Sequence, residues 1–359
     1  MPAPPTHTIV HRIARFVDDP AGDDFNALAL AAFAFQHAEI EPLRRLAAAR
    51  GVAPGEVDDW RQVPAVPASA FKSLALAAAP AREVFRSSGT TGADRSVHHH
   101  PFPDLYRQVI DASFPRFCLP DGWPRPILSL IPGRRQVPDS SLGFMADHVL
   151  RRYGTEESAV AFAAAGVELA AATAWATARQ DDGRPGLVLA TAFALAQWLE
   201  DLAGRGVRLS LPAGTVVFET GGFKGRSREL SRQELERAVH ERLGVAPGAI
   251  VREYGMTELT SQCYSESLAG GDPEVFVAPP WVRVRLLDPE SLAEVAPGRT
   301  GLVAVFDLAN VGSAIHVLTQ DLGVAQGRGF RLAGRASDAE LRGCSLTVEE
   351  LVTAGDGRE

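Results

Sequence analysis

The 359-residue sequence is poor in cysteine and poorer still in lysine. Its three cysteines, Cys118, Cys263 and Cys344, stand far apart with no CxxC pair, which argues against a disulfide framework or a structural zinc site and suits a reducing, cytoplasmic setting. Lys72 and Lys224 are the only lysines, so chemistry that needs an ammonium group has few places to occur. Long apolar runs are missing as well. Ala27–Phe35 falls far short of the ~20 residues of a membrane span, and the alanine-rich stretch 159–178 is interrupted by Glu168. The N-terminus lacks the charged-then-apolar layout of a secretion signal, so no membrane partner is expected. Lys+Arg is 36 against Asp+Glu 44, a net charge of -8. With no clustered basic face, nucleic acid is not an expected partner either. No Walker A loop, G-x-S-x-G elbow or G-x-G-x-x-G turn occurs, which disfavours a P-loop nucleotidase, an α/β-hydrolase and a dinucleotide dehydrogenase.

What is present fits a globular enzyme: 46% of residues are hydrophobic and 22% charged, and the length allows one large or two ordinary domains. A helix is expected over residues 24–50, interrupted by Pro42 and stopped by Gly51. Residues 63–70 read as an extended loop, with Phe71-Lys72 opening a short helix. Val84–Arg86 then reads as a strand. Apolar strands at 127–131, 186–190 and 215–219 alternate with helices near 140–153, 160–178 and 192–205, which predicts an α/β architecture with a largely parallel sheet. Beyond Arg252 the pattern turns β-rich, predicting a smaller β subdomain over about 270–330. No fixed-period repeat is found.

Four short segments could carry chemistry. Ser87-Ser88-Gly89-Thr90-Thr91-Gly92 follows a strand, and its glycines, hydroxyls and successive N–H groups suit a polyphosphate cradle as well as an ordinary Ser/Gly turn. In Tyr254-Gly255-Met256-Thr257-Glu258 a ring for stacking, a hydroxyl for a phosphate oxygen and a carboxylate for Mg²⁺ stand side by side. The same residues equally read as a helix start, with Thr257 as its cap. Asp321, in Thr319–Gly323, could take both hydroxyls of a ribose. Arg335 and Asp338, in Gly334–Asp338, suit a glycine-flanked joint, and each of these last two segments alone is also a plain turn. His98-His99-His100 does not read as a metal site, because consecutive side chains diverge; they read as loop histidines, with His98 near an acyl pocket.

Taken in order, the four segments resemble the core motifs of the acyl-adenylate-forming superfamily. With Phe71-Lys72, Ser96, His98, Glu219–Arg226 and Arg342–Leu346, the whole chain resembles the LuxE-type acyl-protein synthetase family. The resemblance implies the α/β fold of the adenylate-forming large domain, with mixed sheets flanked by helices and a small β subdomain. It implies a domain over 1–330 and a hinge with a short C-terminal arm over 331–359. It implies ATP and Mg²⁺ as cofactors. Ser88, Thr90 and Thr91 would hold the β- and γ-phosphates, Gly221-Gly222 would line the adenine slot, Tyr254 would stack on adenine and Thr257 would touch the α-phosphate, with Ser87, Gly89, Gly92 and Gly255 also nucleotide-binding. Glu258 would hold Mg²⁺, Asp321 the ribose and Arg335 the nucleotide near the hinge, Asp338. Cys344 would carry the acyl group as a thioester, with Cys263 the competing thiol. The implied substrate is a carboxylic acid, a fatty acid first among them, and the implied partner is an acyl-acceptor protein, a reductase or a carrier.

One departure stands out. Large superfamily members carry a further domain of roughly 100 residues with a catalytic lysine, whereas about 20 residues follow Asp338, none of them lysine. Lys224, an arginine or a partner is left to supply that charge. A carboxylate–CoA ligase of the phenylacetate type and a catalytically inactive partner-binding scaffold are the alternatives.

Overall fold

The computed structural model describes residues 6–88, 95–122, 124–221 and 231–336. Helix α1 (Thr6–Asp18) precedes α2 (Phe25–Glu39), whose first turn is capped by the Asp24 carboxylate accepting from Ala27 N at 2.8 Å. Helix α3 (Glu41–Ala49) holds Pro42 in its first turn. The helix expected over 24–50 is therefore two. Pro42 has no N–H to give Ala38 and its ring would meet that carbonyl, so the chain breaks at Ile40, in extended backbone (φ -112°, ψ 99°). Strand β1 (Val66–Pro67) leads into a 3₁₀ turn, Ala68–Lys72, which ends at Lys72 rather than opening a helix there.

Strands β2 (Glu83–Arg86) and β3 (Val97–His100) pair antiparallel. After helix α4 (Pro103–Cys118) the alternation begins: β4 (Ile127–Ser129), α5 (Ser141–Tyr153) and the short strands β5 (Ala159–Val160), β6 (Phe162–Ala163) and β7 (Gly166–Val167). Then come α6 (Leu169–Asp182), β8 (Leu187–Thr191), α7 (Ala192–Gly204), β9 (Val216–Thr220), α8 (Arg232–Leu243) and β10 (Ile250–Tyr254). The helix expected from 160 starts only at Leu169, because Gly166 (φ +110°) turns β7 back on β6 in a hairpin. The rest is β-rich: β11 (Cys263–Ser265), β12 (Val275–Val277), β13 (Val282–Leu287), β14 (Thr300–Asp307), β15 (His316–Gln326) and β16 (Gly329–Arg335).

The described residues fall into two compact units, one drawn from 1–112, 256–262 and 277–359, the other from 113–255 and 263–276. In the first, β13 to β16 form an antiparallel meander, and β1 joins β15 in parallel with Val66 opposite Val317. Helix α2 buries Phe25, Leu28, Phe33 and Phe35, and the Phe25 ring meets Trp60 and Phe306 at 5.7 and 5.9 Å. In the second, β5, β4, β8, β9 and β10 run parallel in that order, with β11 antiparallel beside β10. All five residues of β9 are buried, as in parallel sheets whose two faces are both covered. Leu195, Trp198, Leu199 and Leu202 of α7 join Val239 and Leu243 of α8 and Val188 and Val217 of the sheet in one core. This is the expected α/β architecture. Among the described residues no helix is long and apolar enough to cross a membrane.

Candidate active site

In the first unit the β2–β3 hairpin carries Ser87 and Ser88. Its ladder runs one rung past the strands: Ser87 N donates to Ser96 O and Ser96 N to Ser87 Oγ, both at 3.0 Å, and Arg95 Nε donates to Ser87 O. The Ser87 hydroxyl thus accepts from the main chain, while Ser88 is exposed. Gly89, Thr90, Thr91, Gly92, Gly222, Lys224, Asp338 and Cys344 lie outside the described residues.

Thr257 and Glu258 sit in a loop of the same unit, not at a helix start. Glu258 is 7% exposed. The loop is held by side chains around it. His98 Nδ1 lies 2.7 Å from Thr257 O, and Asn310 Nδ2 donates to Glu258 O (2.9 Å) and Ala314 O (2.8 Å). The Asp307 carboxylate accepts from Thr260 N (3.1 Å), Ser261 N (2.7 Å), Ser261 Oγ (2.7 Å) and Ala309 N (3.0 Å). Burial raises Asp307 to about 6 against those four bonds. Burial also lowers His98 to about 4 and His100 well below the usual imidazole value, so both rings are neutral near pH 7.

The three histidines are strand residues rather than loop residues, and alternation turns His98 and His100 inward while His99 stays half-buried. Among the described residues no group of three or more His, Cys, Asp or Glu could hold a metal ion. A site for Mg²⁺ does not need one, since that ion usually takes one or two carboxylates together with substrate phosphates. Asp321 and Arg335 face each other across β15 and β16, with Arg335 Nε 3.3 Å from Asp321 Oδ1 and Arg335 Nη2 donating to Gln320 Oε1 at 3.1 Å.

In the second unit, Gly221 and Tyr254-Gly255 leave the carboxyl ends of the neighbouring parallel strands β9 and β10, where α/β sheets hold their ligands. Gly221 turns at φ +75°. The Tyr254 ring already packs on Phe276, with centroids 5.8 Å apart. Just upstream lies a buried polar ladder. Arg252 pairs with Glu219 (Nε to Oε2, 2.9 Å), and Thr220 Oγ1 donates to Glu253. Burial and the nearby Glu219 charge push Glu253 up to about 7 despite that bond; burial also raises Glu219, with Arg252 opposing it. Cys118 and Cys263 are buried and neither is in a disulfide. Burial first, then the Glu253 charge, pushes the Cys118 thiol up.

Sequence reasoning gave no role to His100, Asn310 or Asp307, which surround the Thr257-Glu258 loop, or to Arg252 and Glu253, which it read only as a strand end. The signal existed for Asp307 and Asn310, polar residues inside the apolar run Leu302–Val317, and for Glu219 and Glu253, carboxylates in strands that otherwise read as buried.

The fold is that of the adenylate-forming ligases. A solved structure of 2-hydroxyisobutyryl-CoA ligase, in an open conformation with 2-HIB-AMP and CoA, superposes over 92% of this chain and 70% of its own with a TM-score of 0.64 at 12% identity. Residues 178–353, just under half of the chain, match the model of the acyl-protein synthetase LuxE family. Two curated relatives are named long-chain-fatty-acid–luciferin-component ligase. The one from Vibrio harveyi is 23% identical over 146 residues, 39% of this chain and 38% of the relative. The one from Aliivibrio fischeri is 29% identical over 83 residues, 21% of this chain and 22% of the relative. The matches therefore span well under half the length of these relatives.

Proposed function

We propose that this chain is an ATP-dependent acyl-protein synthetase. A carboxylate oxygen of the acid, in the first instance a fatty acid, attacks the α-phosphorus of ATP and expels pyrophosphate. The Cys344 thiolate then attacks the acyl carbon, so that a C–S bond forms, the C–O bond to AMP breaks, and AMP leaves. The thioester is delivered to a reductase or carrier protein. No protein nucleophile is needed for the first step, whose demands are alignment and neutralisation of phosphate charge.

In this reading Ser88, Thr90 and Thr91 hold the β- and γ-phosphates, Gly221-Gly222 and Tyr254 the adenine, Thr257 the α-phosphate, Asp321 the ribose and Arg335 the nucleotide. Glu258 holds Mg²⁺, which neutralises phosphate charge when bound. Residues 331–359 serve as hinge and arm, and the setting is cytoplasmic. The observation that carries the reading is the contact between the hairpin bearing the hydroxyl-rich segment and the Thr257-Glu258 loop, made by His98 and Thr257 O at 2.7 Å. It ties the hairpin that carries Ser87 and Ser88 to the loop that carries Thr257 and Glu258, which supports reading the two motifs together. Both Asp321 and Arg335, 14 residues apart in sequence, also become neighbours across one strand pair.

Acid-dependent ATP–pyrophosphate exchange across a panel of carboxylic acids tests the proposal. Exchange should vanish in Glu258→Gln and persist in Cys344→Ser, where stable acylation of the protein is lost. Release of AMP that requires CoA and survives Cys344→Ser would instead assign a CoA ligase. Absence of exchange with every acid, even with a candidate reductase added, would leave a partner-binding scaffold.

A further inference from the structure

Both peptide groups that flank the Cα of Glu258 are pinned by side chains. The carbonyl before it, Thr257 O, lies 2.7 Å from His98 Nδ1, and the carbonyl after it, Glu258 O, accepts from Asn310 Nδ2 at 2.9 Å. A carbonyl oxygen can only accept, so the His98 proton is on Nδ1. The His98 ring is fully buried, its Nε2 has no hydrogen-bond partner, and Phe71 packs edge-on against it at 5.6 Å. The polar capacity of this buried ring is thus spent on one carbonyl.

Asn310 is fixed in turn. Its Oδ1 accepts from Thr260 Oγ1 at 2.9 Å, and its amide also reaches Ala314 O at 2.8 Å. With its proton committed to Asn310, the Thr260 hydroxyl is an acceptor toward His100 Nε2, 3.1 Å away. That places the His100 proton on Nε2. Strand β3 therefore reaches the loop twice, directly at Thr257 and through Thr260.

We propose that His98 and Asn310 are positioning residues that clamp the Thr257-Glu258 segment by its two carbonyls and lock it to the β2–β3 hairpin. The inference rests on the proposed roles of Thr257 and Glu258 in binding phosphate and Mg²⁺. Neither His98 nor Asn310 touches the reacting atoms in it. A held backbone leaves the Thr257 and Glu258 side chains few directions in which to wander, and misplacement by about 1 Å is worth on the order of 100-fold in rate.

The test uses the full-length protein as His98→Ala, His98→Asn, Asn310→Ala and His99→Ala. An asparagine Nδ2 stands on Cγ as histidine Nδ1 does, so His98→Asn restores the donor without the ring. His99 lies on the same strand without a role in the clamp. Two readouts are taken: amide hydrogen exchange at Leu259, Thr260 and Ser261, and the Mg²⁺ dependence of ATP–pyrophosphate exchange. Amide exchange should speed up about tenfold or more in His98→Ala and Asn310→Ala, and return toward wild type in His98→Asn. The Mg²⁺ concentration for half-maximal activity should rise in the same two alanine variants, with activity falling about 10- to 100-fold. His99→Ala should match wild type in both.

Unchanged amide exchange in both alanine variants, or loosening in His98→Asn equal to that in His98→Ala, would overturn the clamp. If the wild type performs no pyrophosphate exchange while the amides respond as expected, the clamp stands and the functional reading falls. If the amides respond but the Mg²⁺ dependence does not, the clamp is structural only and the positioning role is overturned.

Discussion

Thr220 gives its hydroxyl proton to the carboxyl of Glu253 across the parallel pair β9–β10. Each stands one residue before a proposed site residue, Gly221 just after β9 and Tyr254 at the end of β10. The bond thus ties together the two strand ends expected to receive a nucleotide base.

Glu253 holds its proton up to about pH 7 in the fold, whereas an unfolded glutamate loses it near pH 4.5. Between those values folding takes up a proton, so stability falls as pH rises through that window. Glu253→Gln is neutral throughout. Relative to wild type it should gain stability between about pH 5 and about pH 8, approaching about 3 kcal/mol at full ionisation. Urea midpoints for both proteins across that range provide the check, and a difference that does not vary with pH would contradict it.

Asp307→Ala removes an acceptor for three main-chain N–H groups and one hydroxyl, all buried. A buried donor left without a partner costs about 1–3 kcal/mol. The variant should lose more than about 3 kcal/mol or fail to fold, and Asp307→Asn, which keeps one acceptor oxygen, should lose less. Equilibrium denaturation separates the two.

Arg335 presents a different balance, being 52% exposed beside Asp321. A pair this open contributes about 0–1 kcal/mol. Arg335→Ala should melt close to wild type, yet under the proposed function it should raise the ATP concentration for half-maximal pyrophosphate exchange about tenfold. A change in melting without a change in ATP dependence would assign Arg335 to the fold alone.

Cys118 is fully buried with a raised thiol pKa, and Cys263 is 4% exposed. Neither should react quickly with a disulfide reagent in the native protein. Any fast-reacting thiol is then Cys344, and Cys344→Ser should abolish the fast phase while leaving the slow, unfolding-limited reaction intact. A fast phase that survives the substitution would point to Cys263.

The alternation of apolar strands and helices after residue 127 was readable because period and length separate cleanly there, and the β-rich stretch after Arg252 was readable for the same reason. Boundaries failed where one residue overrode a pattern. The interruption at Pro42 was legible and falls at Ile40, whereas Gly166 turned an alanine-rich stretch read as helix into a hairpin. Thr257, Glu258 and His98 could be proposed from motif order, but the contacts that His98 and Asn310 make to the Thr257-Glu258 loop could not. Their partners lie 159 and 52 residues away, and no local spacing encodes such a contact. The shifted acidity of Glu253 was equally hidden, since it depends on burial beside Glu219 on another strand.

The pairing of Val66 with Val317 has a consequence for biosynthesis. A nascent chain completes the parallel strands of the second unit by residue 254, so that sheet can close while translation continues. The first unit cannot close then, because β1 and the Gln36 side chain wait for Val317 and Asn310. The greasy face of α2 is made early and covered late. During that delay, at the usual 5–20 residues per second about 14–60 s for the ~280 residues between Gln36 and Val317, Phe25, Leu28 and Phe35 need a temporary shield. Demand for chaperones in the cell should therefore follow the speed at which the message between those two residues is read.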